Sequence, residues 1–66
     1  MITYDWGIHS DGTVTIYSSK NGIVSTRKHF NKFKSKKIIN KLESIDNYDE
    51  EQEAIGNIFF NLADWE

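Results

Sequence analysis

Apolar and polar side chains alternate through the first thirty residues, and two turn signals interrupt this pattern. Asp11-Gly12 and Asn21-Gly22 are dipeptides that favour tight β-hairpins. They separate three runs rich in β-branched and aromatic residues, at positions 2–9, 13–18 and 23–30. The pattern predicts three strands that pair in chain order as an antiparallel meander.

The same alternation predicts how the strands pair. Two-residue turns would scatter the apolar residues over both faces of the sheet. Three-residue turns that close with a left-handed glycine keep one face apolar, and they align Ile8 with Val14, Trp6 with Ile16, Ser18 with Val24 and Ser19 with Ile23. We therefore expect Trp6, Ile16 and Val24 to be buried under the helices. The opposite, open face then carries Thr13, Thr15, Tyr17, Arg27, His9 and His29.

From residue 35 onward the apolar spacing changes to that of an amphipathic helix. Its stripe is Ile38, Ile39, Leu42 and Ile45, with Ser35 as the expected N-cap. Phe33 does not fit this stripe, so we place it in the connection, where it would plug the corner between sheet and helix.

A second helix is predicted to begin near Asp49, which has capping-box spacing to Gln52. The core stripe of this helix is Ile55, Ile58, Phe59 and Leu62, extended by Trp65. Gly56 lies inside the helix, where it indicates close approach of a strand or of the first helix. Alternatively, Gly56, Phe60 and Ala63 form a stripe beside the core, with Phe60 as an exposed anchor for a partner or a second copy of the chain. The expected fold is a single α+β domain over residues 1–66, in which a three-stranded meander is packed on one face by two C-terminal helices (β-β-β-α-α).

Charge is strongly segregated along the chain. Seven of the eight basic residues lie between Arg27 and Lys41 without an acid among them, and residues 42–66 carry eight acids and no base. The net charge of -2 therefore hides two opposed fields. Fields of this kind steer encounters with partners and do not determine a fold.

Length and composition limit the class of protein. A chain of 66 residues buries a smaller fraction of its surface than a larger domain, so a homodimer is one route to added stability. There is no cysteine, and hence neither a disulfide framework nor a thiolate metal site. No run approaches the roughly 20 apolar residues of a membrane span. We expect a soluble cytoplasmic protein without membrane association.

No pattern in the chain identifies a catalytic chemistry. His9 and His29 are the only histidines, and they lie on strands one and three, separated by strand two. A zinc site would need further ligands beside them, and no histidine–acid pair can be placed next to a nucleophile. The sequence predicts no enzyme, no cofactor and no metal site.

The start of the first helix is electrostatically unusual. Lys34, Lys36 and Lys37 lie where the helix dipole is already positive, which is suited to binding an anion. Alternatively, acids elsewhere in the fold neutralise these lysines, or they are simply a solvated helix face.

Two function classes remain. The first is a protein-binding module, such as a small inhibitor or adaptor of a phage or other mobile element. It would bind a partner with a basic surface through its acidic and aromatic C-terminal half, using Asp49, Glu50, Glu51, Glu53, Phe60 and Trp65. The alternative interpretation of these acids is a solvated helix face.

The second class is a nucleic-acid-binding domain that uses the polar sheet face together with the basic segment. Its contacts would be Tyr17, Arg27, Lys28, Lys32, Lys34, Lys36 and Lys37. The sequence pI of about 5.6 argues against it, because domains that rely on phosphate contacts are usually basic. We therefore rank protein binding first.

Overall fold

Three antiparallel strands form one sheet, and two helices follow them. The computed structural model describes residues 1–61. Its elements are β1 (Ile2–Ile8), β2 (Val14–Lys20), β3 (Ile23–His29), α1 (Lys32–Glu43) and α2 (Tyr48–Phe60). The strands lie in the order β1-β2-β3, with α1 against β2 and α2 against β1. This arrangement confirms the predicted α+β fold and its β-β-β-α-α order.

The first hairpin has the predicted three-residue turn. The His9 N–H donates to the Thr13 carbonyl at 2.8 Å, and the Gly12 N–H donates to the His9 carbonyl at 3.0 Å. Gly12 has a φ of 88°, which a residue without a Cβ adopts at little cost. Ile8 consequently pairs with Val14 and Trp6 with Ile16, as predicted.

The second hairpin differs from the prediction. Asn21 and Gly22 both have positive φ, the signature of a two-residue type I′ turn. A β-bulge between Ser18 and Ser19 then shifts the register. The resulting pairs are Lys20 with Ile23, Ser19 with Val24, Ser18 with Thr26, Tyr17 with Arg27, Ile16 with Lys28 and Thr15 with His29. The predicted pairs Ser18–Val24 and Ser19–Ile23 are wrong.

The bulge moves Val24 off the helix-covered face. After the bulge, towards the end of β3, Thr26 and Lys28 lie on the same face of the sheet as Ile16. This is the face that the helices cover, and Ile16 is fully buried there. Val24 lies before the bulge, opposite Ser19, and is 47% exposed. The predicted burial of Val24 is therefore wrong. Trp6 is half-buried and packs against the core.

Helix α1 begins earlier than predicted, and Ser35 is not its N-cap. Asn31 is the cap, and its side-chain oxygen accepts from the Lys34 N–H at 2.8 Å. Ser35 lies inside the helix, where its hydroxyl accepts from the Val14 N–H and donates to the Phe30 carbonyl. Ser35 is fully buried, so it fastens α1 to the start of β2.

Phe33 is also placed differently from the prediction. It belongs to α1 and is 71% exposed, so it does not plug the corner between sheet and helix. The Lys37 ammonium lies 4.8 Å from the centre of its ring, which is a cation–π contact.

Helix α2 begins at Tyr48 and is capped by Asn47, whose side chain accepts from the Glu50 N–H at 3.0 Å. The predicted capping box of Asp49 and Gln52 is therefore wrong. Gln52 instead forms two 2.8 Å hydrogen bonds with Tyr4, accepting from its N–H and donating to its carbonyl. This side-chain amide occupies the place of a neighbouring strand at the β1 edge.

The core lies between the sheet and the two helices. Its buried apolar members are Val14, Ile16, Phe30, Ile38, Leu42, Ala54, Ile55 and Ile58. Gly56 allows α2 to approach β1 closely, because a Cβ at this position would lie 3.2 Å from the Tyr4 ring. The predicted close approach at Gly56 is thus confirmed. Leu62 and Trp65, the predicted extension of the stripe, lie outside the described residues.

Candidate functional site

Two histidines meet over a threonine on the open face of the sheet. His9 Nε2 lies 2.6 Å from the Thr15 hydroxyl oxygen, and His29 Nδ1 lies 3.0 Å from the same oxygen. The two ring centres are 5.5 Å apart. Thr15 is therefore buried even though it belongs to the face that the helices leave uncovered.

These rings form one wall of a shallow cavity of about 540 Å³. Tyr17 and Arg27 lie beside them as a cross-strand pair, with the guanidinium carbon 5.9 Å from the centre of the Tyr17 ring. The remaining lining residues are Ser10, Asp11 and Thr13 from the first turn and the start of β2. The cavity thus combines two imidazoles, a guanidinium, hydroxyl groups and one carboxylate.

The carboxylate at the rim of the cavity is held by its own turn. Asp11 accepts from the Thr13 hydroxyl at 2.6 Å and from the Thr13 N–H at 3.0 Å. These hydrogen bonds, helped by the nearby His9, lower the pKa of Asp11, because they favour the charged form. Asp11 therefore stays ionised at neutral pH.

The sequence prediction kept the two histidines apart and missed this cluster. It counted β2 as a barrier between them. Adjacent strands, however, are only about 4.8 Å apart, so long side chains on the two outer strands can meet above a small residue on the middle strand. The available signal was two histidines on the same face, flanking a short side chain.

A second candidate surface lies on α2 and carries most of the predicted protein-binding residues. Asp49, Glu53 and Phe60 are all exposed. Their spacing of four and then seven residues places them on one side of the helix, while Ala54, Ile55 and Ile58 are buried. We call Asp49, Glu53 and Phe60 the outer stripe of α2.

The other predicted members lie around this stripe. Glu50 is exposed in the first turn, whereas Glu51 is half-buried and lines a cavity near Tyr4 and Tyr48. Phe60 is 53% exposed, and its ring stands edge-on to Phe59 at 5.0 Å. Trp65 lies outside the described residues.

The predicted nucleic-acid contacts do not form one surface. Tyr17 and Arg27 share the open sheet face. Lys28 lies on the helix side of the sheet, where its ammonium donates to the Phe59 carbonyl at 3.1 Å. Four further predicted contacts belong to the helix layer, because α1 carries Lys32, Lys34, Lys36 and Lys37.

Within residues 1–61, no group of three or more histidine, aspartate or glutamate side chains is arranged to hold a metal ion. Over the same residues, neither helix has the length and apolar character needed to cross a bilayer. Comparison of the chain with protein-family models, with curated proteins and with solved structures found no match.

Proposed function

We propose that the protein is a non-enzymatic binding module that engages a basic protein partner through the outer stripe of α2. The observation that carries this proposal is the exposure, on one side of a helix, of two carboxylates and a phenylalanine. At about 1.5 Å rise per residue, Asp49 and Phe60 are about 16 Å apart along the helix, a span suited to a small protein interface.

The acids of this surface are available to a partner. Within residues 1–61, the carboxylates of Asp49, Glu50, Glu51 and Glu53 make no ion pair with a basic side chain. Helix α2 contains no basic residue, and its four acids lie in its first two turns, so the field is negative over that half of the helix. Charge complementarity of this kind raises the rate of association with a basic surface, and an exposed aromatic ring supplies a desolvated anchor.

A photo-crosslinking experiment tests the proposal. The photoreactive residue p-benzoylphenylalanine replaces Phe60 in one variant and Phe33 in another. Phe33 is the matched control, because it is an exposed phenylalanine on the other helix. We expect specific adducts with a protein of basic surface at position 60 and none at position 33. Adducts confined to position 33, or an acidic captured partner, would contradict the proposal.

Association kinetics with the identified, purified partner provide the second test. The double variant D49N/E53Q removes two charges of the stripe, and E43Q removes one exposed charge from the end of α1. We expect the double variant to associate about tenfold more slowly at low ionic strength and nearly normally at high salt, because charges at an interface rim act mainly on the on-rate. E43Q should behave like the parent protein.

A further inference from the structure

We propose that His9, His29 and Arg27 form a binding site for a tetrahedral dianion, the chemistry of a phosphate group, and that binding takes up one proton. The site is on the open sheet face and is independent of the proposed binding surface on α2. The site uses the cavity above Thr15. Four of the residues that line this cavity come from the three strands or from their ends: His9, Tyr17, Arg27 and His29.

The Thr15 hydroxyl makes the two imidazoles unequal. A hydroxyl carries a single proton, yet it lies within hydrogen-bond distance of a nitrogen on each ring. When both rings are neutral, one must therefore donate to Thr15 and the other must accept from it. Because a neutral imidazole carries only one N–H, the donating ring has a bare second nitrogen, and the accepting ring has an N–H at its second nitrogen.

This inequality couples anion binding to protonation. The second nitrogens, Nδ1 of His9 and Nε2 of His29, have no hydrogen-bond partner within residues 1–61. An anion needs donors at both positions, and in the neutral pair only one is a donor. One added proton supplies the missing N–H and a positive charge. Histidine is the side chain that gains its proton near neutral pH.

The other charges around the cavity leave it positive once this proton is added. Arg27 supplies a guanidinium suited to phosphate oxygens. The Lys32 side chain lies 3.7 Å from the position of a Cβ on Gly12, at the same turn. Two acids lie nearby. Asp11 accepts hydrogen bonds from Thr13, and Asp5 of β1 lies opposite Tyr17 of β2 and accepts from the Trp6 N–H. Among the residues that line the cavity Arg27 offsets Asp11, so the histidine proton gives the site its net positive charge.

Sulfate is the suitable first probe, because it stays a dianion across the whole pH range of histidine titration. We expect its affinity to fall about tenfold per pH unit as the coupled proton is lost, which is the linkage slope of one proton. In proton NMR spectra both histidine titration curves should shift to higher pH on sulfate addition. The chain has only two histidines, so both signals report on the site.

Variants of the protein distinguish binding at this specific site from general attraction between sulfate and positive charge. T15V removes the hydroxyl at similar volume and lets both neutral rings present an N–H, so it should weaken the pH dependence, whereas T15S should retain it in full. The attraction between the dianion and a protonated ring remains in both variants. R27Q should weaken sulfate binding about tenfold, the loss of one charged hydrogen bond. K20Q removes one exposed charge from the far end of β2 and should leave binding unchanged.

The origin of the phosphate group is tested by parallel titrations with inorganic phosphate and with a short oligonucleotide. Binding of phosphate to the same two histidines, with the same dependence on Thr15, supports the proposal. It is overturned if sulfate and phosphate leave the histidine signals unchanged, if T15V binds like the parent, or if only the oligonucleotide binds and K36Q weakens it as much as R27Q.

Discussion

Replacing Gln52 by glutamate tests whether its amide serves as the missing neighbour of the β1 edge. Gln52 accepts from the Tyr4 N–H and donates to the Tyr4 carbonyl, both at 2.8 Å. A glutamate keeps the acceptor but places its second oxygen against the carbonyl oxygen. The change therefore exchanges one hydrogen bond for a repulsive contact while leaving the size of the side chain almost unchanged.

The expected cost follows from these two bonds. A neutral hydrogen bond contributes about 1 kcal/mol to the free energy of unfolding, so Q52A should lose about 2 kcal/mol. Q52E at pH 7 keeps the bond from the Tyr4 N–H, so it should lose about 1 kcal/mol for the other bond, plus the repulsion between the two oxygens. For a domain of this size each kcal/mol lowers the Tm by about 4–8 °C. The exposed amide Asn40 offers the matched control, because N40D makes the same chemical change on the surface of α1.

The pH dependence gives the sharper test. A protonated glutamate can donate to the Tyr4 carbonyl and restore both bonds, so folding raises the pKa of the introduced carboxyl above its value in the unfolded chain. The stabilisation is then fully present below the unfolded pKa and is lost as the pH rises through the folded pKa. If the stability deficit of Q52E is about 1.4 kcal/mol larger at neutral pH than at acid pH, the pKa of the introduced carboxyl is one unit higher in the folded than in the unfolded protein.

Urea denaturation of Q52E, Q52A, N40D and the parent protein at pH 7 and at acid pH measures these differences. We expect the gap between Q52E and the parent to narrow on acidification, while the gap between Q52A and the parent stays constant. The reasoning is refuted if Q52E is as stable as the parent at pH 7, or if its deficit does not change with pH.

Two further predictions concern packing. S35A leaves the buried Val14 N–H without its acceptor and should cost about 1–3 kcal/mol, whereas S44A at the exposed end of α1 should stay within about 0.5 kcal/mol of the parent in urea denaturation. F59A should cost about 2 kcal/mol or more, because its ring packs against the core, and F60A should cost less but weaken association with the partner. Equal stability losses in F59A and F60A would remove Phe60 from the candidate surface.

The sheet shows how far local patterns predicted the fold. The alternation of apolar residues identified the helix-covered face correctly around Trp6 and Ile16, and the Asn21-Gly22 pair carried the information for a two-residue turn. In the second hairpin the two signals disagree, because the apolar alternation favours a three-residue turn and the Asn21-Gly22 pair favours a two-residue turn. The bulge reconciles them, because one extra residue in β3 restores the alternation beyond Ser25. Neither composition nor periodicity locates a bulge, so the register there could not be predicted.

The predicted starts of the two helices were wrong for a different reason. Several residues with suitable capping side chains lie near the start of each helix, and the sequence does not say which one is free to cap. Ser35 is occupied by the Val14 N–H and the Phe30 carbonyl, and Gln52 by the β1 edge. Asn31 and Asn47 remain to accept the helix N–H groups. Which residue caps each helix therefore depends on tertiary contacts, and a local sequence pattern does not reveal these contacts.

The two candidate surfaces lie in different layers of the domain, and this separation bears on how the protein can act. Helix α2 packs against β1 from one side of the sheet, whereas the cavity over Thr15 opens on the other side. A partner on the outer stripe of α2 would therefore leave the cavity accessible. Within residues 1–61, the acidic side chains of α2 that would contact a partner form no internal ion pairs, so their charges remain available for binding.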